Sequence, residues 1–319
     1  MEHPLTLKAH HRDGRRRLMN EKLKGNHCLI VTPFDSSGDV DEASTKKLID
    51  FLISQGVHGI LGLGTTGEFF LLSSAERERF MKIVLEHVNR RVPVGFCCGH
   101  SGTDPAIKLS QIAEKLGADY VMITPPYYFV TSRDGIKEHF KAIAQSIHIP
   151  VMVYDGGGNI EIPLDLLSEI IKSSDNITSI KISVPSPLKV KQIYEIFGEK
   201  VVVICGMDAL TLLMLSNGAQ GLTLGVANVL PKEISFIYKA YQEKKDEGIN
   251  KANKLFHEKV LPLVNIALGV RTEYIQCFKY TLVKLGIIMT DIVRKPFLPM
   301  DKVRQAMLET ILRDTGIVQ

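Results

Sequence analysis

Long apolar runs are missing from this 319-residue chain, and no stretch approaches the ~18 consecutive apolar residues of a membrane span, so no membrane partner is expected. Cysteine is scarce. The five present (Cys28, Cys97, Cys98, Cys205 and Cys277) are odd in number and show neither a disulfide framework nor zinc-ligand spacing. They lie mainly in strand-like apolar runs, where adjacent Cys97 and Cys98 read as small core fillers on opposite faces of a strand. Histidine-rich ligand spacing is also absent, so neither a metal nor an organic cofactor is implied. Internal repeats, low-complexity tracts and linkers are lacking, which argues against independent modules. A reduced, cytoplasmic protein fits these absences.

Charge imbalance is small, a formal +4, and much of it is local. Lys8-Ala-His-His-Arg-Asp-Gly-Arg-Arg-Arg17 carries five basic residues, besides its histidines, against one acid. It has neither the apolar centre of a secretory signal nor the serine richness of a mitochondrial presequence. Met19 stands just before the first convincing strand, so residues 1–24 read as a basic, disordered tail or an overextended start. A nucleic-acid-binding arm is the rival reading; it predicts salt-dependent binding that disappears with the tail. No nucleic-acid partner is otherwise indicated.

What is present is a repeated alternation. Short β-branched runs at 27–31, 57–63, 92–97, 119–124, 149–154, 177–182, 201–205 and 220–224 read as strands. Amphipathic stretches near 41–55, 73–90, 103–117, 132–147, 162–173, 186–197, 207–217 and 231–245 separate or follow them. Ser73-Ser-Ala-Glu76 is a capping box, Thr103-Asp-Pro105 starts a helix, and Gly117 and Gly218 end helices. Eight mostly continuous apolar strands, each followed by a helix, predict parallel strands buried on both faces. A closed (β/α)8 TIM barrel over 25–245 is the simplest solution, with a doubly wound open sheet as the runner-up. Three further helical patterns (250–268, 272–286 and 301–314) exceed the barrel's needs and form a C-terminal extension over 246–319.

Gly59-Ile-Leu-Gly-Leu-Gly-Thr-Thr-Gly-Glu68 delivers a Gly-Thr-Thr-Gly tetrad at the end of the second strand. Glycines 64 and 67 let the chain turn sharply and leave amides uncovered, and the hydroxyls of Thr65 and Thr66 add donors, so a small carboxylate or phosphate is the natural guest. Thr124-Pro-Pro-Tyr-Tyr128 ends the fourth strand, Val151-Met-Val-Tyr-Asp155 the fifth, and Ile180-Lys181-Ile182 lies on the sixth. In a barrel these groups converge on one mouth. Lys181 interrupts an apolar run; a lysine is rarely buried without a partner, and desolvation favours the neutral, nucleophilic amine. The plain alternative is a strand-end lysine whose ammonium reaches water.

Tetrad, paired tyrosines, strand-end tyrosine and strand lysine, in that order, resemble the dihydrodipicolinate synthase / N-acetylneuraminate lyase family of Schiff-base aldolases from about Gly25 to the C-terminus. The resemblance implies that Lys181 forms an imine with pyruvate or a related 2-oxo acid, and that Tyr154 shuttles protons with Thr65 relaying to Tyr128. It implies that Thr65 and Thr66 grip the substrate carboxylate and that the segment around Thr223 lines the site. In the family the tyrosine matched by Tyr128 crosses a subunit interface, so a homo-oligomer, a dimer or a homotetramer, is expected. Glu68 is available as a general base, but its place between turn and helix favours a structural carboxylate. Asp208 reads as a helix cap rather than a substrate contact.

One segment departs from the family. Where members commonly read Tyr-Asn-x-Pro, and dihydrodipicolinate synthases add an arginine for the second substrate's carboxylate, this chain reads Tyr154-Asp-Gly-Gly-Gly-Asn-Ile-Glu161. Asn159 falls at the arginine position and cannot make a charged bidentate clamp, so it suits a neutral or hydroxylated partner; Arg133 is a candidate substitute. A loop without any specificity role is the alternative. Phe69 and Phe70 stand where lysine-regulated synthases are small or polar, which argues against lysine feedback. The expectation is a lyase of class I aldolase type, by condensation, cleavage or sugar-acid dehydration. A true 4-hydroxy-tetrahydrodipicolinate synthase of lysine biosynthesis and a non-catalytic, small-molecule-binding barrel are its alternatives.

Overall fold

The computed structural model describes residues 19–129, 131–269 and 273–318. Eight parallel strands close in chain order: β1 (Gly25–Leu29), β2 (Gly59–Gly62), β3 (Val94–Cys97), β4 (Tyr120–Ile123), β5 (Val151–Asp155), β6 (Ile177–Ile182), β7 (Val202–Cys205) and β8 (Gly221–Leu222). Every residue of β2, β3, β5 and β6 is buried, as continuous apolar strands covered on both faces must be. The helices that follow them are α1 (Glu42–Ser54), α2 (Ser74–Val88), α3 (Thr103–Leu116), α4 (Arg133–Gln145), α5 (Leu164–Lys172), α6 (Pro187–Phe197), α7 (Thr211–Ser216) and α8 (Pro231–Glu243). The barrel is closed, and the open sheet is excluded.

Local chemistry sets the boundaries. Ser73 caps α2 in the reciprocal capping box with Glu76, and Gly117 ends α3 at φ 97°, where a side chain is disfavoured. Two elements are shorter than the sequence suggests. The stretch 207–217 opens with a 3₁₀ turn, Asp208–Leu210, before α7, and β8 spans two residues. Closure nevertheless continues past β8, because Thr223 N donates to Cys205 O at 2.8 Å. Of the basic tail, residues 1–18 lie outside the described residues. Its last residues are ordered rather than disordered: Asn20 and Leu23 are buried, and Asn20 Nδ2 donates to Glu199 O at 2.9 Å.

The C-terminal extension consists of α9 (Asp246–Leu255), α10 (Leu261–Gly269), α11 (Tyr274–Lys284) and α12 (Lys302–Asp314). A π-helical turn, Phe256–Val260, joins α9 to α10. Pro262 just beyond it has no N–H to donate, which favours the widened turn upstream. The extension is locked to the barrel through Glu68, which follows the tetrad with φ 57°. The Glu68 carboxylate is fully buried; Oε1 lies 2.6 Å from Lys279 Nζ, and Oε2 accepts from Arg294 N at 2.8 Å. Lys279 also donates to Ile292 O at 2.7 Å and lies 4.1 Å from the centroid of the Phe34 ring. Burial pulls the Lys279 ammonium down to about 8, with Glu68 opposing that loss, so it stays charged at neutral pH. The structural reading of Glu68 therefore holds.

At the base of the barrel, His27 on β1 and Tyr120 on β4 fill the interior, with His27 Nδ1 and the phenol 2.9 Å apart. Gly59 and Gly95 leave the room: a Cβ would approach His27 Nδ1 to 2.3 Å at the first and the Tyr120 ring to 2.2 Å at the second. Desolvation pushes the His27 imidazole down to about 4.

Two outcomes follow from these buried charges. Glu68→Gln leaves Lys279 without its counter-charge and is expected to cost about 3–5 kcal/mol in denaturant unfolding at pH 7; wild-type stability with lost turnover would instead return Glu68 to a chemical role. For His27 the unfolded ring takes up a proton near pH 6.5 and the folded ring only near 4, so stability is lost as pH falls through that window. The loss is on the order of 3 kcal/mol. An unfolding free energy that is flat from pH 6.5 to 4 would contradict it.

Candidate active site

Lys181 sits in the middle of the barrel wall. On β6 it pairs in register with Tyr154 of β5 and Ile204 of β7, and its side chain is 1% exposed. Gly206, just past β7, makes the space, since a Cβ there would lie 2.4 Å from Lys181 Cε. The alternative of a strand-end lysine reaching water is overturned. The buried lysines differ in what meets their nitrogen. Lys279 has Glu68 at 2.6 Å and Lys189 has Asp155 at 2.7 Å. Lys181 instead has its Nζ 4.2 Å from the centroid of the Tyr154 ring, and no carboxylate of the described residues forms an ion pair with it. Lys181 is thus distinguished by its geometry, a buried amine against a ring rather than in contact with an anion.

The tetrad forms the next wall. Gly67 N closes onto Gly64 O at 3.0 Å and Glu68 N onto Thr65 O at 3.0 Å. The second glycine amide is thereby consumed inside the turn, contrary to the expectation that it stays open. The amides of Gly64, Thr65 and Thr66 have no backbone or side-chain acceptor among the described residues. A Cβ at Gly67 would lie 3.1 Å from Ile30 O, so the second glycine serves close packing. Thr66 is buried and Thr65 exposed, so the pair offers donors at two depths. Thr223 is buried as well, and its Oγ1 has no partner among the described groups.

Not every expected residue joins this cluster. Tyr128 has φ 82° and is 99% exposed, followed by Phe129 at 82%. Its phenol projects from the surface, so a link from Thr65 to Tyr128 is not made within one chain. Tyr127 turns inward instead, its ring 6.1 Å from Phe69, and burial pushes its phenol up. Phe69 in turn lies under the buried Arg77 guanidinium at 5.1 Å, and Arg77 Nη1 donates to Gly99 O at 3.3 Å. Nothing in the sequence singled out Arg77, one arginine among several on an amphipathic helix.

The glycine-rich loop after β5 is anchored at its base. Asp155 Oδ1 accepts from Ile162 N at 2.7 Å, and Lys189 binds both Asp155 and Ile162 O, the latter at 2.6 Å. Gly157 has a steric reason: a Cβ would lie 2.9 Å from both Thr124 Cγ2 and Tyr154 Cδ1. Asn159, with φ 63°, is exposed at the end of the short turn Gly157–Asn159. Arg133 does not replace the missing arginine. It lies on the surface, paired with Asp165 at 2.8 Å and Glu169 at 3.7 Å.

Asp208 corrects a sequence expectation. Its carboxylate caps no helix: Oδ1 accepts from Val226 N at 2.8 Å, and Oδ2 accepts from the Tyr274 phenol at 2.7 Å. Burial raises the Asp208 carboxyl above its ordinary range, while the Tyr274 hydroxyl and the Val226 amide hold it down. Tyr274 belongs to the extension and was invisible as a site residue, being a single aromatic at the start of an amphipathic helix. Among the described residues no group of three or more His, Cys, Asp or Glu could hold a metal ion.

A lysine on β6, a tyrosine on β5 and a Gly-Thr-Thr-Gly turn after β2 meet at the carboxyl ends of one barrel, and comparison with known proteins places that combination. The Dihydrodipicolinate synthetase family profile matches residues 22–315. The 4-hydroxy-tetrahydrodipicolinate synthases of Pelobacter propionicus and Thermodesulfovibrio yellowstonii are 33% and 34% identical over 299 residues, covering 93% of this chain and 100% of each relative. Among solved structures, dihydrodipicolinate synthase from Acinetobacter baumannii complexed with pyruvate superposes with TM-score 0.86 at 29% identity, covering 93% of this chain and 100% of that one. YagE, a prophage protein of the dihydrodipicolinic acid synthase family from E. coli K12 in complex with pyruvate, also gives 0.86 at 29%, covering 92% and 99%. With fold, site order and nearly the whole length in agreement, the chain belongs to the dihydrodipicolinate synthase family.

Proposed function

We propose that this protein is a class I, Schiff-base lyase acting on pyruvate or a closely related 2-oxo acid, with Lys181 as the nucleophile. The observation that carries this reading is the buried Lys181, which forms no ion pair among the described residues and lies against Tyr154. Family relatives crystallised with pyruvate support the substrate class.

The neutral amine of Lys181 adds to the C2 carbonyl, and loss of water leaves a protonated imine. Withdrawal of electrons by that cation acidifies C3, whose proton departs to give an enamine. The enamine attacks an aldehyde to form a carbon–carbon bond, or arises when such a bond breaks; water then hydrolyses the imine and frees Lys181. Each transfer needs a proton carrier beside the imine, and the Tyr154 phenol serves. The Thr65 and Thr66 amides and hydroxyls hold the 2-oxo acid carboxylate, with Thr223 on the facing wall.

Tyr128 completes the relay only from another copy of the chain. An almost fully exposed phenol beside an exposed Phe129, on a backbone held at φ 82°, suits a residue that reaches across an interface. The protein is accordingly a homo-oligomer, a dimer or a homotetramer. Its cysteines are all free and buried, which suits a reducing, cytoplasmic location. For the second substrate, exposed Asn159 and surface-paired Arg133 leave no guanidinium at the loop, favouring a neutral or hydroxylated aldehyde over aspartate semialdehyde. Synthesis of 4-hydroxy-tetrahydrodipicolinate is the second reading, favoured by the names of the curated relatives from Pelobacter propionicus and Thermodesulfovibrio yellowstonii.

Borohydride reduction in the presence of pyruvate, followed by intact-protein mass spectrometry, should add one pyruvate-sized mass to the wild type and none to Lys181→Ala. A folded wild type that yields no adduct with pyruvate or any larger 2-oxo acid sinks the Schiff-base reading. Tyr128→Phe should lower turnover by about 10²-fold or more if the phenol carries protons. Mixing it with inactive Lys181→Ala should restore activity, because a mixed dimer holds one site with both groups intact. Two variants that stay inactive after subunit exchange would remove Tyr128 from the shared site.

A further inference from the structure

Lys189 is a buried amine that the chemistry at Lys181 leaves unused. It stands in the first turn of α6, where the helix dipole disfavours a cation, and its side chain is 5% exposed. Its ammonium is nevertheless fully engaged, with three N–H groups and three oxygens to meet. Nζ lies 2.7 Å from Asp155 Oδ2 and donates to Ile162 O at 2.6 Å and to Glu161 Oε1 at 3.1 Å. All three oxygens belong to the loop after β5, and Asp155 Oδ1 closes its base by accepting from Ile162 N at 2.7 Å. Within the loop, Gly156 N donates to Ile160 O at 3.0 Å. The clasped loop lies on the site. A Cβ at Gly157 would stand 2.9 Å from Tyr154 Cδ1, and one at Gly158 2.7 Å from Tyr127 Cβ, so the turn rests directly against both tyrosines. Tyr154 immediately precedes Asp155 and pairs in register with Lys181, whose Nζ is 4.2 Å from its ring centroid.

We propose that Lys189 is a positioning residue for proton transfer at the imine: it clasps both ends of the loop after β5, and the clasped turn holds the Tyr154 ring beside Lys181. The proposal rests on the Schiff-base reading and deepens it. A phenol carries protons efficiently only while its oxygen stays in reach of the reacting atoms, and packing against the ring keeps it there. Lys181 lies over the face of the Tyr154 ring and Gly157 against its edge, so the turn is one of the two contacts that fix the ring. Without Lys189, the Asp155 carboxylate is buried with no counter-charge and Ile162 O loses its donor. The base of the loop then opens to admit water, and Gly157 withdraws from the ring. The carboxylate cradle is built on another turn, the one after β2, whereas the side-chain contacts of Lys189 are all with the loop. Its loss therefore affects proton transfer and not the grip on the 2-oxo acid.

Deuterium exchange at C3 of pyruvate reads this step without any aldehyde, because enamine formation releases a C3 proton to solvent. With the full-length protein in heavy water, followed by proton NMR, Lys189→Met should slow exchange at saturating pyruvate by about 10²-fold. The pyruvate concentration that half-saturates exchange should stay where it is in the wild type. With enough enzyme to read the residual exchange of Tyr154→Phe, adding Lys189→Met to that variant should cost almost nothing further, because both changes act through one phenol. A folded Lys189→Met protein that exchanges at the wild-type rate overturns the proposal. So does a loss as large in Tyr154→Phe as in the wild type, or a slower rate accompanied by an equal rise in the half-saturating concentration. If Lys189→Met does not fold, its combination with Asp155→Asn decides: no charge is stranded, an acceptor for Ile162 N remains, and unslowed exchange overturns the proposal. A wild type that neither exchanges nor is trapped by borohydride would be a failure of the underlying lyase reading and is seen before any variant is compared.

Discussion

The ion pair between Glu68 and Lys279 is the contact on which the remaining geometry depends. It joins the residue immediately after the Gly-Thr-Thr-Gly turn to the middle of α11, and both side chains are fully buried. A buried pair of this kind adds little net stability over an apolar substitute, yet breaking it strands a charge in low dielectric. Its effect is therefore to specify position. Glu68 takes φ 57° and spends both carboxylate oxygens on the extension, through Lys279 and Arg294 N. The turn and α11 cannot shift independently, and α11 is the helix that brings Tyr274 to Asp208.

Three buried lysines show how the same side chain is assigned different tasks by what meets its nitrogen. Lys279 ties the extension to the barrel, and Lys189 ties the loop after β5 to α6 by way of Asp155 and Ile162 O. Both are cations with an anion in contact. Lys181 faces an aromatic ring on the neighbouring strand. An aromatic face in place of a carboxylate is what sets Lys181 apart from the other two.

The loop from Asp155 to Ile162 is held at its base and exposed at its tip. Its base is held tightly and Gly157 fits between Thr124 and Tyr154, so the loop still shapes the mouth. Its tip carries Asn159 in place of a guanidinium. The tip is exposed while the base is buried, so a change at Asn159 leaves the contacts of Asp155 and Gly157 in place.

The alternation of apolar strands and amphipathic helices was legible in the sequence, because burial on both faces leaves a continuous β-branched run that nothing else explains. So were the capping box at Ser73 and the break at Gly117, which depend on neighbours within a few residues. The order of Thr66, Tyr154 and Lys181 along the chain was legible too, but the pairing of Tyr154 with Lys181 across β5 and β6 needed the strand register. Other features were decided by tertiary structure. Asp208 left the helix terminus to which its sequence neighbours assigned it, because a phenol 66 residues away and the Val226 amide compete for its oxygens at closer range. Tyr128 turned outward, Arg133 went to surface carboxylates on α5, and Tyr274 entered the site from a helix with no motif of its own. Sequence by itself determined the alternation of strands and helices and the order of the candidate residues along them, since those follow from local pattern. Only the tertiary structure decided which polar groups spend their hydrogen bonds on one another and which are left for a substrate, since a hydrogen bond is settled by distance in space and not by separation along the chain.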